Sequence, residues 1–458
     1  MNRICVLGLG YIGLPTAALA ASSGLKVIGV DIDPEVVRSL GNGRAHIAEP
    51  DLDVLLDRVL KNESLIVQTT PCQADIFLVA VPTPITEEKT ADLSYVESAI
   101  RSVVPVVQKG NLVIVESTIP PGTTEGVVSK ILTESGLVIG EDLYVAHCPE
   151  RVLPGRILEE LVNNDRVIGG INRESALAAR QFYEEFVRGA LFLTNARTAE
   201  MVKLVENAYR DVNIAFANEL SLMCSHLGVN VWDVIDFANR HPRVNILRPG
   251  PGVGGHCIAV DPWFLVEKAP QSTSLIATAR SINDLMPEHV VAKVASAVPP
   301  GARVACLGAS YKADVGDTRE SPAIQVIEDL IAKGYVVNVV DPYVSKMNGK
   351  SLPLTTLDEA LDTAECVVLL VDHSEFKLLD AAKLKEKFAN GKLIDTRGIW
   401  TRTDGACPFQ GIAPKPAKRG LVGVRCSNTQ IVDPQVMQNI FGPTDTYLLS
   451  TCSESTTR

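Results

Sequence analysis

The chain has 458 residues, of which 46% are apolar and 21% charged, with a formal net charge of −11. At roughly 100 to 200 residues per domain, that length predicts two or three domains. The acidic balance, with a pI near 5.3, argues against nucleic acid or an anionic membrane as partner, although a local anion site stays open.

In chain order, Met1-Asn2-Arg3 runs directly into Ile4-Cys5-Val6, so no secretory signal is expected. The longest apolar stretch, Ile12 to Val30, is broken by Pro15, Gly24 and Lys26, and no membrane span is expected there. Ten cysteines are scattered without a C-x-x-C pair. That pattern predicts a reducing, cytoplasmic setting and no metal site.

Strand-like runs at Ile4–Leu7, Val27–Val30, Ile76–Val81, Leu112–Glu116 and Leu143–Ala146 alternate with helical periods, as in βαβ units around a parallel sheet. From Thr198 to Leu227 a helical period continues without Gly or Pro and predicts one long helix, followed by a shorter one over Val231–Asn239. The segment Pro249-Gly250-Pro251-Gly252-Val253-Gly254-Gly255 is dense enough in glycine to predict a close backbone approach to another group. After Pro299-Pro300-Gly301 a second series follows, with strands at Arg303–Leu307, Val336–Val340, Cys366–Val371 and Leu393–Asp395.

The predicted fold is α/β: two Rossmann-like doubly wound domains joined by a long central helix and a helical middle region. The predicted domains are 1–197, 198–298 and 299–401, with a tail of uncertain order over 402–458, where periodicity fades.

The string Gly8-Leu9-Gly10-Tyr11-Ile12-Gly13 follows a strand and opens a helix, the context a G-x-G-x-x-G turn requires to cradle a pyrophosphate. Asp31 ends the next strand. A carboxylate there accepts from ribose hydroxyls and repels a 2′-phosphate, so NAD is predicted over NADP. Pro82 and Thr83, and Ser117 with Thr118, sit on loops at strand C-termini, where such sheets bind ligands. Those loops are equally compatible with ordinary turns.

Cys257 follows the glycine-rich segment. A helix starting at that point would lower its thiol pKa and favour the thiolate, with Asp261 four residues on along the same face; the alternative is a small buried hydrophobe. Lys203 and Asn207, spaced i, i+4, project from one face of the long helix, where a cation beside an amide suits an oxyanion. A solvated face with ordinary ion pairs is the alternative. Glu150, after a predicted strand, is placed to act as general base for water or simply to pair with Arg151 or Arg156.

In this order the strings Gly8–Pro15, Val81–Pro84, Cys148–Gly155, the Lys203–Glu219 helix, Gly252–Cys257 and Gly316–Pro322 resemble the UDP-glucose/GDP-mannose dehydrogenase family over about residues 1–400. Asn239–Leu247 and Cys257–Trp263 are similar to the branch acting on UDP-N-acetyl-D-mannosamine, with the UDP-N-acetylglucosamine branch as the alternative. The resemblance implies a four-electron oxidation of a UDP-N-acetylhexosamine at C6 with two NAD⁺, through a cysteine thiohemiacetal and thioester, in the service of surface polysaccharide synthesis. It implies Cys257 as nucleophile, Lys203 and Asn207 as oxyanion stabilisers, Asp261 as partner of the lysine or the catalytic water, and Glu150 and Thr118 as the groups that position water.

It further implies that Arg319 approaches the cofactor, and that Arg151, Val152, Gly254, Tyr311, Lys312 and Arg397 contact the substrate. Arg243 would reach the neighbouring subunit's site in a homodimer. Two other readings compete: a non-catalytic nucleotide-sugar sensor, and a two-electron hydroxyacid dehydrogenase that leaves Cys257 without a role.

Overall fold

The computed structural model describes residues 3–47, 49–153, 155–344, 353–389 and 392–400. The tail expected over 402–458 lies outside the described residues. The first sheet contains β1 (Arg3–Leu7), β2 (Lys26–Val30), β3 (Leu65–Gln68), β4 (Ile76–Val79), β5 (Leu112–Val115), β6 (Tyr144–His147), β7 (Arg166–Gly170) and β8 (Leu191–Asn195). Their spatial order is β3-β2-β1-β4-β5-β6-β7-β8. The order reverses beside β1, so the C-terminal ends of β1 and β4 open a crevice at a topological switch point. All pairings are parallel except β6 with β7, so the sheet is mixed where the sequence suggested a parallel one.

Near-continuous Val, Ile and Leu make these strands buried on both faces, as in Ile76–Val79 and Leu112–Val115. Two apolar layers result. One packs Leu14, Ala17 and Ala18 of helix Gly13–Ser22 against Ile4, Val6 and Leu78; the other packs Val96 and Ile100 of helix Ser94–Val103 against Phe77 and Val113.

Helix Ala196–Leu227 follows β8 directly. Its first turn is capped by Asn195, whose side chain accepts from Thr198 N at 2.8 Å, and Gly228 ends it at φ 67°. Its N-terminal part lies so close to β7 that a Cβ on Gly169 would stand 2.6 Å from Ala199 Cβ. Helix Ser274–Ala297 packs along it. The second sheet comprises β9 (Arg303–Leu307), β10 (Val336–Val340), β11 (Cys366–Leu369) and β12 (Leu393–Asp395), all parallel in the order β10-β9-β11-β12.

The expected glycine approach exists and joins the two halves of the protein. A Cβ on Gly254 would collide with the Glu320 carbonyl and lie 2.9 Å from Tyr311 Cβ, and one on Gly255 would meet the Tyr311 ring at 3.0 Å. Among the described residues no helix is long and apolar enough to cross a membrane.

Because the β7–helix contact has no slack, Gly169→Ala is expected to destabilise the protein by about 1–3 kcal/mol through overpacking. The urea midpoint measures this, and an unchanged midpoint would mean that the helix can move off the strand without cost.

Candidate active site

The glycine turn after β1 is shaped by its neighbours. Gly8 adopts φ 89° with its Cα hydrogens facing the Ala80 carbonyl, and a Cβ on Gly13 would overlap the Gly8 carbonyl. Gly10 meets nothing within 4 Å, which leaves the turn open on its outer side. Leu9 N donates to Asp31 Oδ2 at 2.9 Å, so the carboxylate ending β2 braces the turn that it is expected to serve. Tyr11 is exposed and Ile12 half-buried beside it. Across the crevice, Pro82 is exposed and Thr83 carries a buried hydroxyl oxygen that has no hydrogen-bond partner among the described residues. An open glycine turn, a helix N-terminus and an unpartnered hydroxyl fit a dinucleotide.

Arg319 comes to this turn from the second half of the chain. Its guanidinium lies 5.1 Å from the Tyr11 ring centroid and is held by Asp317 through contacts of 2.6 to 3.1 Å. That places a cation at the glycine turn.

The thiol of Cys257 belongs to an exposed residue, yet burial of its surroundings pushes its pKa up, as at the bottom of an open cleft. Attraction from Lys203 opposes that rise and is the next largest effect. The conditional expectation of a thiolate at a helix start is corrected here. The following helix begins at Asp261, not at Cys257, and the Cys257 carbonyl accepts from Asp261 N at 2.8 Å. Asp261 is 2% exposed, and its carboxylate accepts from Asn207 Nδ2 at 2.5 Å. Burial pushes its pKa up to about 6, against the attraction of Lys203. Asn207 Oδ1 accepts from Arg210. The Lys203–Asn207 face is therefore directed at the cysteine segment; it is not a solvated face.

Lys203 also acts on a second group of charges, at the ends of β5 and β6. Glu150 is 6% exposed; Arg166 Nη2 lies 2.9 Å from its Oε2, and Arg151 N donates to its Oε1 at 2.7 Å. Arg166 Nη1 is 3.6 Å from Glu116, which accepts from Tyr183 OH at 2.7 Å. Burial outweighs the attraction of Arg166 and of Lys203 and raises the Glu116 pKa. The sequence offered Arg151 or Arg156 as ion-pair partners of Glu150. Its ion-pair partner is Arg166, while Arg151 Nη1 pairs with Glu206 and Arg156 with Glu159. Thr118 is half-buried on the loop after β5. That loop is clamped by Glu200, which accepts from Gly122 N at 2.5 Å and Thr124 N at 2.7 Å. Val152 is half-buried next to Arg151.

Tyr311, Lys312 and Arg397 line a cavity of about 290 Å³ together with Pro251, Gly252 and Asp372. Arg397 Nε donates to Asp372 Oδ1 at 3.0 Å. Arg243, on the loop after helix Val231–Ala238, is exposed and is not among the cavity's lining residues. Sequence reading passed over Arg166 and Tyr183, took Glu200 only as a further charge on the long helix, and noted Glu116 only as the end of a strand and the start of a loop. A charge opening the apolar run Arg166–Gly170, and a carboxylate ending β5 as Asp31 ends β2, were the available signals.

Comparison with known proteins agrees with this layout. The sequence profile of the UDP-glucose/GDP-mannose dehydrogenase family matches as NAD binding domain over 2–187, central domain over 197–285 and UDP binding domain over 305–402. The chain belongs to the UDP-glucose/GDP-mannose dehydrogenase family. It is an NAD-dependent UDP-sugar dehydrogenase.

An NDP-N-acetyl-D-galactosaminuronic acid dehydrogenase of Ralstonia nicotianae is 50% identical over 412 residues, 87% of this chain and 96% of the relative. A UDP-N-acetyl-D-mannosamine dehydrogenase of Methanocaldococcus jannaschii is 49% identical over 408 residues, 88% and 93% of the two chains. The solved UDP-D-ManNAc dehydrogenase of Pyrococcus horikoshii superposes with a TM-score of 0.81 at 45% identity, covering 87% of this chain and 96% of its own.

The raised pKa of Asp261 in this dehydrogenase sets a sign for stability against pH. The folded state keeps a proton that the unfolded chain releases near pH 4, so this group's contribution is full below about pH 4 and is lost as pH rises through about 6. His147, pushed down to about 3 by burial, acts in the opposite direction, so the comparison is between variant and wild type. Asp261→Asn is expected to gain thermal midpoint relative to wild type between pH 4 and 7. A constant difference across that range would contradict the assignment.

Proposed function

We propose that the protein oxidises the C6 alcohol of UDP-N-acetyl-D-mannosamine to the carboxylate, giving UDP-N-acetyl-D-mannosaminuronate, with two NAD⁺ and one water consumed per sugar. The single observation that carries this reading is the convergence of an accessible Cys257 thiol with Lys203 and the buried Asn207–Asp261 pair. An enzyme that stopped at the aldehyde would need no thiol; one that proceeds to the acid needs a covalent handle.

Gly8, Gly10, Gly13, Tyr11, Ile12, Asp31, Pro82, Thr83 and Thr118 would hold NAD, with Arg319 closing over it. The bound cofactor supplies a hydride acceptor for each of the two oxidations. Asp261, with its pKa near 6, takes the proton of the C6 hydroxyl, releases it to water between the two oxidations, and then takes the thiol proton, which it returns to the sulfur when the C–S bond breaks. The Cys257 sulfur adds to the C6 aldehyde, and the new alkoxide is stabilised by Lys203 and by the N–H of Asn207 not given to Asp261. After the second oxidation the carbon is a thioester. Glu150, oriented by Arg166, removes a proton from the attacking water, with Thr118 helping to place that water; the C–S bond breaks and the thiol is reformed.

The uridine diphosphate is assigned to the cavity of Tyr311, Lys312 and Arg397, which offers two cations to a diphosphate. Arg151, Val152 and Gly254 are assigned to the sugar.

We assign a homodimer to the exposed apolar face of the long helix, where Met201, Val205, Tyr209 and Phe216 are 42% to 68% exposed. In that dimer Arg243 serves the neighbouring subunit's site. All seven described cysteines are free, in keeping with a cytoplasmic enzyme. The product retains its diphosphate leaving group and is assigned to surface polysaccharide synthesis as a glycosyl donor.

A second reading changes only the sugar. A relative that is 50% identical is named an NDP-N-acetyl-D-galactosaminuronic acid dehydrogenase, which supports the galacto epimer, while the larger number of similar proteins named UDP-N-acetyl-D-mannosamine dehydrogenase supports the manno epimer. The test is NADH formed per sugar consumed, with the UDP-linked N-acetyl manno, galacto and gluco epimers offered separately. Two NADH from the manno epimer alone is expected, with Cys257→Ala reduced by about 10⁴-fold or more. Two from the galacto epimer moves the substrate, and one NADH from any epimer contradicts the thioester route.

A further inference from the structure

The long helix Ala196–Leu227 and helix Ser274–Ala297 meet along a polar seam. Asp211, Asn218, Arg280 and Asn283 are each 1% exposed or less. Arg280 Nη1 donates to Asp211 Oδ1 at 2.5 Å, and Asn283 Nδ2 donates to the same oxygen at 2.8 Å. Asn218 Nδ2 donates to Asn283 Oδ1 at 2.8 Å, and Arg280 Nη2 reaches Asp284 at the seam's edge.

Burying two ions costs several kcal/mol each in desolvation, and apolar residues of similar volume often hold such an interface as well or better. Among the described residues the seam is also incompletely satisfied, because Asp211 Oδ2 and Arg280 Nε find no hydrogen-bond partner there. Stability alone does not account for it.

What an apolar seam could not do is bind backbone. Asn218 Oδ1 accepts from Gly250 N at 2.9 Å, and Arg280 Nη1 points at the Ile258 carbonyl at 3.5 Å. Those two contacts stand at the two ends of the segment 250–258, which carries Cys257. The segment is pressed from its other side, where a Cβ on Gly250 would collide with Arg397 Nη1 and one on Gly254 with the Glu320 carbonyl. Asp211 lies one turn beyond Asn207 and two beyond Lys203 on the same helix, so one stripe carries both the charges facing the thiol and the anchor of its loop.

We propose that Arg280, together with Asp211, Asn218 and Asn283, forms a positioning device that holds both ends of the cysteine segment against the long helix and so fixes the thiol relative to Lys203. This rests on the reading of Cys257 as the nucleophile. None of these residues is among those assigned to substrate or cofactor. Their effect passes through the backbone at Gly250 and Ile258.

The test uses two variants of the full chain. The double variant Asp211→Leu with Arg280→Met replaces the buried ion pair by apolar volume and leaves no buried charge unpaired, since Asp284, which also loses its Arg280 contact, is half exposed. Asn218→Ala removes the Gly250 tether and the Asn218–Asn283 hydrogen bond while keeping the Asp211–Arg280 pair, and it decides the matter if the double variant does not fold. For each, the rate of Cys257 alkylation by iodoacetamide is followed by peptide mass, beside kcat, the KM for NAD⁺ and the thermal midpoint.

A displacement of about 1 Å is expected to lower kcat by roughly 100-fold in the double variant and about 10-fold in Asn218→Ala, with the KM for NAD⁺ within about 2-fold. The alkylation rate is expected to change by about 3-fold or more in either, since the thiol leaves the field of Lys203. Folded variants with wild-type kcat and wild-type alkylation, whatever their thermal midpoint, overturn the proposal. If alkylated wild-type enzyme still forms two NADH per sugar, the nucleophile reading itself falls, and this inference with it.

Discussion

The site depends on one close backbone contact, that of Gly254 against the Glu320 carbonyl. The cysteine segment leaves the helical middle, the loop 311–322 leaves the first strand of the second sheet, and any side chain at Gly254 would hold them apart. With them in contact, Tyr311 packs against Gly255 and Arg397 against Gly250 along the cysteine segment, and Arg319 reaches across to Tyr11 at the first sheet's glycine turn. Gly255 N donates to the Arg319 carbonyl at 3.3 Å, which fixes the register of that contact. The glycines of this segment serve the joining of two halves as much as the approach of a substrate.

Around that contact the protein buries charge and balances it from the long helix. Asp261, Glu116 and the Cys257 thiol are all displaced by burial toward their neutral forms, and for each the Lys203 cation works against the displacement. A carboxyl group near pH 6 and a neutral thiol are more useful to proton transfer at neutral pH than a permanently ionised pair, because each can exchange its proton without a large energetic gap. Arg166 performs the same balancing between Glu116 and Glu150 and adds a contact to the Tyr183 ring at 4.7 Å.

Much of this was legible in the sequence because it is local. The glycine turn and Asp31 are read from a strand-turn-helix pattern and a strand end, and Lys203 and Asn207 from i, i+4 spacing on one helix. The strands β3, β7 and β8 were not read. Each has four or five residues, no more than the strands that were read; β8 carries Leu191, Phe192 and Leu193 yet is largely exposed, and the antiparallel pairing of β6 with β7 follows from tertiary context. The partner of Glu150 was missed for a similar reason: Arg166 is adjacent in the sheet but separated in sequence by a loop and a helix, and nearer arginines competed for it on paper. The state of the Cys257 thiol was also out of reach, since it depends on whether a helix starts at Cys257 or four residues later.

The central claim is a covalent bond between the Cys257 sulfur and the sugar C6, released by water that Glu150 deprotonates. The most direct measurement is the mass of the Cys257 peptide after Glu150→Gln enzyme is mixed with UDP-sugar and NAD⁺ and quenched in acid within a turnover. The account predicts a peptide heavier by the acyl sugar nucleotide, formed together with two NADH per site and lost on exposure to hydroxylamine. An unmodified Cys257 peptide in enzyme that has formed two NADH per site would contradict it.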